Sequence, residues 1–377
     1  MNINRLAAIA RKETLHVLRD WRSLTLALAI PLVLILLYGY ALTLDLRLVP
    51  TVVWDQSRSA ASRELLELYA GSPYFSIRDY HEGYDDLQRD LDSGKAMVAL
   101  VIPGDFAGKV HSGKPVAIQV IGDGSDANTS RLALNYATAI AAIYARNIAA
   151  EQMELKGRGE LKQPVEMVQR SWYNPDLRSQ TVLIPGIIAL VMVVVAAMLT
   201  STTIAREWET GTMEQLISTP LRAPELIFGK VVPYFVIGMT DVALAVMIGK
   251  WVFDVPIVGN AGLLFALAAV FLTGILFFGL LLSIRLKSQV LANQMAIITG
   301  FMPTLLLSGF VFAIENMPLP LQFLTYIFPA RYFIAILRGI YLKGIGLEIL
   351  WIDALFLAIY ALLMMVAANR AFAFKLE

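Results

Sequence analysis

Charge is absent from four long stretches of this chain: residues 23–43, 179–205, 255–284 and 288–314. A helix rises 1.5 Å per residue, so about 20 apolar residues cover the roughly 30 Å hydrocarbon layer of a membrane. Each stretch is long enough. Two more runs fit with interruptions: 226–248 carries Lys230 and Asp241, and 349–369 carries Asp353 near one end. The pattern predicts a polytopic α-helical membrane protein with six transmembrane helices, grouped one plus five. The first run is too long for the apolar core of a cleavable signal and reads as a signal anchor.

Between the first two runs, residues 44–178 are enough for a domain with its own core. Here the pattern alternates. Residues 49–54, 75–78, 96–102 and 116–121 read as strands, and 59–70, 84–93 and 105–111 as helices between them. That order predicts an inserted α/β domain. A long alanine-rich helix over 126–155 follows, Lys156-Gly157-Arg158-Gly159 breaks it, residues 165–173 read as extended, and Asn174-Pro175 turns the chain into the second run. Asp55, Asp123 and Asp126 stand beside turn residues, where caps and turns explain them better than a ligand site.

Residues 1–22 read as an amphipathic helix. Ile3, Leu6, Ala10, Val17 and Trp21 fall near one stripe, with Arg5, Lys12, His16 and Arg19 opposite. It is either an interfacial element with its cations toward anionic headgroups or a flank that only sets topology. Counting Lys and Arg in the short loops gives eleven on the side of the termini and four (Lys250, Arg331, Arg338, Lys343) on the other. The first side is therefore expected to be cytoplasmic, with both termini inside and 44–178 extracytoplasmic. The regions are then a cytoplasmic interfacial helix (1–22), span 1 (23–43), the external domain (44–178), a five-span domain (179–370) and a cytoplasmic tail (371–377).

Overall composition agrees. Of 377 residues 57% are hydrophobic and only 16% charged, against about 25% charged in an ordinary soluble domain. A soluble globular protein and a disordered chain are excluded. The net charge of +1 offers no field for a nucleic acid. Cysteine is absent, which excludes disulfides, zinc–thiolate sites and iron–sulfur clusters. The three histidines are scattered, so no metal site is expected, and no Gly-x-x-x-x-Gly-Lys-Ser/Thr sequence occurs. The chain is therefore expected to bind no cofactor and to be no enzyme.

The loop at 204–224 is the most informative stretch. It reads Arg206-Glu207-Trp208-Glu209-Thr210-Gly211-Thr212-Met213-Glu214-Gln215-Leu216. Gly211 stops a polar extension of the second span, and Thr212 with Gln215 has the spacing of a capping box. A short second helix follows, expected to present Glu207, Glu209 and Glu214 to the cytoplasm. Acids are out of place beside an anionic leaflet, which argues for a protein partner. Beyond the fifth span, segment 315–347 is too apolar for a free loop and in part too short to cross, so it is expected to dip into the outer leaflet. Asp241 is costly in a membrane. Pairing with a neighbouring helix explains it better than an ion relay, which would recruit several such groups. Pro185, Pro233 and Pro303 are expected to kink their spans.

These residues resemble the permease subunit of ABC-2-type ATP-binding-cassette exporters, in the branch with a large extracytoplasmic domain after the first span. The matching elements are Arg11-Lys12-Glu13, Trp172-Tyr173-Asn174-Pro175, the acidic Gly-Thr stretch 205–216, Leu307-Ser308-Gly309-Phe310, Glu315-Asn316-Met317-Pro318 and Pro329-Ala330-Arg331-Tyr332-Phe333. The resemblance implies a multi-pass half-transporter of the bacterial inner membrane. Two subunits, identical or paralogous, pair in the bilayer above two cytoplasmic ABC ATPases, which hold the ATP and magnesium. It also implies that Arg206, Glu207, Glu209, Gly211, Thr212, Glu214 and Leu216 form a coupling helix docking on the ATPase. Asp241, Ser308, Phe310, Arg331 and Tyr332 are assigned to the translocation path or its gate. Relatives often work with a periplasmic adaptor protein and export drug-like or lipid-like amphiphiles. Two rivals stand beside this reading: a membrane scaffold or receptor acting through the external domain, and a proton-driven carrier.

Overall fold

A computed structural model describes residues 2–41, 48–155, 172–174, 178–219 and 221–373. The expected break at 156–159 and most of the extended segment 165–173 lie outside the described residues. The chain divides into two units, one formed by Met1–Thr43 with Arg170–Glu377 and the other by Leu44–Gln169. The first unit begins with helix α1 (Ile3–Arg19) and, past Asp20, helix α2 (Trp21–Ala41). The face of α1 that is buried holds Ile9 and Glu13, while Ile3 and Trp21 are exposed. Leu6, Ala10 and Val17 of the predicted stripe are half-buried beside them, so the packed face overlaps that stripe and widens it to include Glu13, which finds a buried partner.

The second unit is a four-stranded sheet flanked by helices on both faces. Its elements run β1 (Val49–Asp55), α3 (Ala60–Ala70), β2 (Phe75–Tyr80), α4 (Tyr84–Asp92), β3 (Val98–Ile102), α5 (Phe106–His111), β4 (Gln119–Gly122) and α6 (Ala127–Leu155). The strand order is β2-β1-β3-β4, with β1 parallel to β2 and β3, and β4 antiparallel to β3. Every residue of β3 is buried, as a central strand covered on both faces requires. Val53, Leu100 and Ile102 face α3, α5 and α6, whereas Val52, Ala99 and Val101 pack with Leu87 of α4. The Tyr69 hydroxyl donates to the Ala137 carbonyl (2.9 Å) and Tyr144 to that of Ala61 (3.0 Å), fastening α3 to α6. Burial pushes both hydroxyls up to about 12, so they remain neutral donors. Asp55 accepts from the amides of Ser57 and Arg58, Asp123 from Ser125 and Asp126 from Thr129, all local turns and caps.

The first unit continues with α7 (Ser179–Ser201), α8 (Thr203–Glu209), α9 (Thr212–Ile217), α10 (Ala223–Trp251) and α11 (Ala261–Leu286). Then come α12 (Gln289–Ala296), a π-turn (Ile297–Phe301), α13 (Met302–Leu307), α14 (Leu319–Thr325), α15 (Pro329–Arg338) and α16 (Leu347–Ala373). Among the described residues five helical segments are long and apolar enough to cross a membrane, or six if a bent pair counts as one span. That pair, Leu319–Thr325 with Pro329–Lys343, turns by 83° at 315–347, where the sequence predicts short dipping helices. The Ala27–Ala41 part of α2 is a shorter apolar helix.

α7 is the buried axis of this unit, with Ile184, Ile187, Ile188 and Ala189 fully enclosed. Two expected spans are shorter than their charge-free runs. The run at 255–284 becomes helical only after Asn260, whose side chain caps the Leu263 amide (3.2 Å). The run at 288–314 stops at Leu307, because the chain turns at Gly309 with φ +80°. Pro303 follows the π-turn, which takes up the hydrogen-bond shift that a proline imposes.

Candidate functional site

α8 and α9 form a corner fixed by Gly211, which sits at φ +73° between them. That backbone favours glycine. Gly211 precedes the first turn of α9 and Thr212 lies inside it, so the expected capping box is not formed. The Thr212 hydroxyl instead donates to a carboxylate oxygen of Glu207. Met213 is buried in the core of the unit, while Glu214, Gln215 and Ile217 are exposed. One side of α9 is anchored and the other is free.

Glu207 does not point outward. Its Oε1 accepts from Lys230 Nζ at 3.0 Å and from Lys12 Nζ at 3.2 Å. Lys230 also donates to Glu13 Oε1 of α1. The side chains of Lys230 and Glu13 are 2% and 5% exposed. Two cations and two carboxylates therefore neutralise one another across α1, α8 and α10. A buried lysine in an apolar run must find such partners. The sequence signal was there, in Lys230 within 226–248 and in acids at 13 and 207, but it does not say which acids turn inward.

Glu209 is committed as well. It accepts from the backbone amide of Gln289 (2.8 Å) and from its side-chain amide (2.5 Å), tying α8 to the start of α12. Arg206 lies 3.0 Å from His16 of α1 and 3.3 Å from the Gln289 side-chain oxygen. Lys287 stacks over Trp208 at 3.9 Å, and Ser283 of α11 accepts from the amides of Ile204 and Ala205. Of the three acids expected to face outward, Glu209 and Glu214 are exposed, and only Glu214 lacks such an internal tie among the described residues; Leu216 is half-buried against the core. Sequence reasoning missed Glu13, Lys230, Ser283 and Gln289.

α1 is seated on α10 by close approach as well as charge. A Cβ on Gly229 would stand 2.8 Å from the Ile9 Cβ and 3.2 Å from the Leu6 carbonyl oxygen. Gly229→Ala would gain about 1 kcal/mol of helix propensity. The overpacking costs about 1–3 kcal/mol. The net expected result is a lower thermal unfolding midpoint in detergent; a midpoint at or above that of the unaltered protein would show that α1 is not seated here.

The five path candidates are not brought together. Asp241 is buried between α7, α10 and α11. Ser308 and Phe310 form the turn after α13, where Ser308 donates to the Thr304 carbonyl and Phe310 packs on α7 at Gly186. Arg331 and Tyr332 fasten the 83° bend: Arg331 stacks on Tyr326 (3.8 Å), and the Tyr332 hydroxyl donates to the Tyr326 carbonyl (2.9 Å). Near the α8 end, a cavity of about 540 Å³ has walls from Val195, Met198, Leu199 and Ile237, with His16, Arg206 and Gln289 at its polar side.

Probable multidrug ABC transporter permease YbhS of Escherichia coli (strain K12) is 35% identical, covering 94% of this chain and 92% of its own length. Probable multidrug ABC transporter permease YbhR of the same strain is 30% identical, covering 92% of each chain. Inner membrane transport permease YhhJ, also of that strain, is 25% identical over 90% of this chain and 89% of its own. The family model described as ABC-2 family transporter protein matches residues 21–369. By these matches, over nearly the whole of its length, the chain belongs to the ABC-2 family of transporter proteins.

Proposed function

We propose that this protein is the membrane-spanning permease subunit of an ATP-driven exporter. A separate ABC ATPase docks on α9 and supplies the work. The observation that carries this reading is the division of labour at the corner. Glu207 and Glu209 are spent on fixing α8 to α1, α10 and α12, while α9 offers Glu214 with exposed apolar Ile217 beside it. A short helix with one anchored and one free face suits groove docking. Force applied to α9 passes through Met213 and the Lys230 cluster into α1 and α10. Coupling then requires only that the ATPase binds two arrangements of these helices with different free energy.

In this reading α1, α8 and α9 and both termini are cytoplasmic, the 44–169 unit is extracytoplasmic, and the bent pair α14–α15 dips from the outer side. Two subunits pair in the inner membrane. The 540 Å³ cavity suits an amphiphile, with an apolar body against α7 and α10 and a polar head toward Arg206 and His16. The residue at 214 tests the docking role. Glu214→Lys is expected to reduce co-purification of the ATPase and substrate efflux at least tenfold, equivalent to about 1.4 kcal/mol of docking energy, without moving the unfolding midpoint. Unchanged co-purification and efflux would reject docking through α9.

A further inference from the structure

Among the described residues the Asp241 carboxyl, a path candidate in the middle of α10, finds no hydrogen-bond partner. The residue is 4% exposed, and both Oδ1 and Oδ2 are buried. The space beside it is about 10 Å³, walled by Ile188, Val191 and Val195 of α7, Gly238 and Ala245 of α10, and Leu272 of α11. That volume is at the lower limit for one water molecule. No titratable group stands among these walls. α7 carries none, and α11 has only Arg285, near its end. On α10 itself Lys230 is bound to Glu13 and Glu207, and Glu225, Tyr234 and Lys250 lie outside the cavity. Tyr38 and Tyr40 of α2, the charged groups of α1, and Glu348, Asp353, Tyr360 and Arg370 of α16 are likewise not among its walls.

An ionised carboxylate enclosed by alkyl groups with no donor is untenable, and such a group neutralises instead. We propose that Asp241 is a proton-binding site within the helix bundle, protonated in the arrangement seen here and able to release its proton to water only when α7, α10 and α11 part. The site adds a ligand, the proton, to the permease. It depends on the packing of three helices and not on the docking of an ATPase.

Infrared difference spectroscopy on the full-length protein in lipid nanodiscs tests this without transport. At neutral pH the spectrum of the unaltered protein minus that of Asp241→Asn is expected to contain one carboxylic-acid carbonyl stretch per subunit. Its absence, with a carboxylate band in its place, would overturn the proposal. If Asp241→Asn does not fold, Asp241→Glu keeps the acid and is expected to shift the band, whereas an unshifted spectrum would overturn it. Thermal unfolding supplies a second readout. The packed state holds a proton that the opened state releases, so stability falls as pH rises above the ordinary carboxylate range. Asp241→Asn is expected to lose that component of the pH dependence, and coincident pH profiles for the two proteins would count against the proposal.

Discussion

Lys230→Met is expected to cost the folded protein about 3–5 kcal/mol, because removing one partner of a buried ion cluster leaves the others uncompensated. Glu13 and Glu207 would remain enclosed with only Lys12 beside them, and Lys12 is half in solvent. The loss would be read as a lowered unfolding midpoint in detergent and as faster amide exchange in α1. Glu13→Gln in the same chain removes one stranded carboxylate and is expected to restore part of the stability. Lys12→Met, by contrast, removes an exposed charge and is expected to change little. If Lys230→Met unfolded like the unaltered protein, α1 would not be locked to α10 by charge. The same cluster makes Glu207→Lys a poor probe of docking: any loss of ATPase coupling there would report a broken corner, with cations facing one another, and not a lost docking contact.

Much of the architecture was legible in the chain because each element carries its own period. Apolar runs gave the helices at 179–205 and 349–369, and the alternating pattern gave the four strands to within a few residues, though not their order β2-β1-β3-β4. What stayed hidden is set by contacts between distant segments. Whether Glu207 points out or in depends on which side of α8 meets α10, and no local pattern says so. Glu13 borders the predicted apolar stripe of α1, one turn from Ala10 and Val17, and it is buried because Lys230 lies across from it. Gly211 took the position given to Thr212 because the sharp corner needs a positive φ, which leaves the threonine hydroxyl free to hold Glu207. Span ends at 255–260 and 308–314 were misread for a related reason. Apolar residues in a turn, whether buried like Val255 and Phe310 or exposed like Val258, Val311 and Phe312, look the same in sequence as apolar residues in a span.

Phe310→Ala is expected to cost about 3–5 kcal/mol, the range for deleting a buried aromatic ring. The ring is 3% exposed and lies against Gly186 of α7, where a Cβ would fall inside it. Its backbone is held too: the amide donates to Ser308 Oγ (3.3 Å), and the carbonyl accepts from Arg338 Nη2 (3.2 Å). In a bilayer the lost term is packing attraction more than transfer from water, because lipid is as apolar as the core. A free gate residue would behave differently. Its truncation would alter substrate efflux and leave the unfolding midpoint in place. The companion substitution separates the two further. Gly186→Ala alone is expected to destabilise by forcing the ring out of its seat, while in the double variant the new methyl occupies the space the ring has vacated. The double variant should therefore be more stable than the two single losses added together, a coupling of about 0.5–3 kcal/mol between touching residues. Strict additivity would mean that Phe310 and Gly186 do not meet in the protein, and the turn after α13 would then be available to move as a gate.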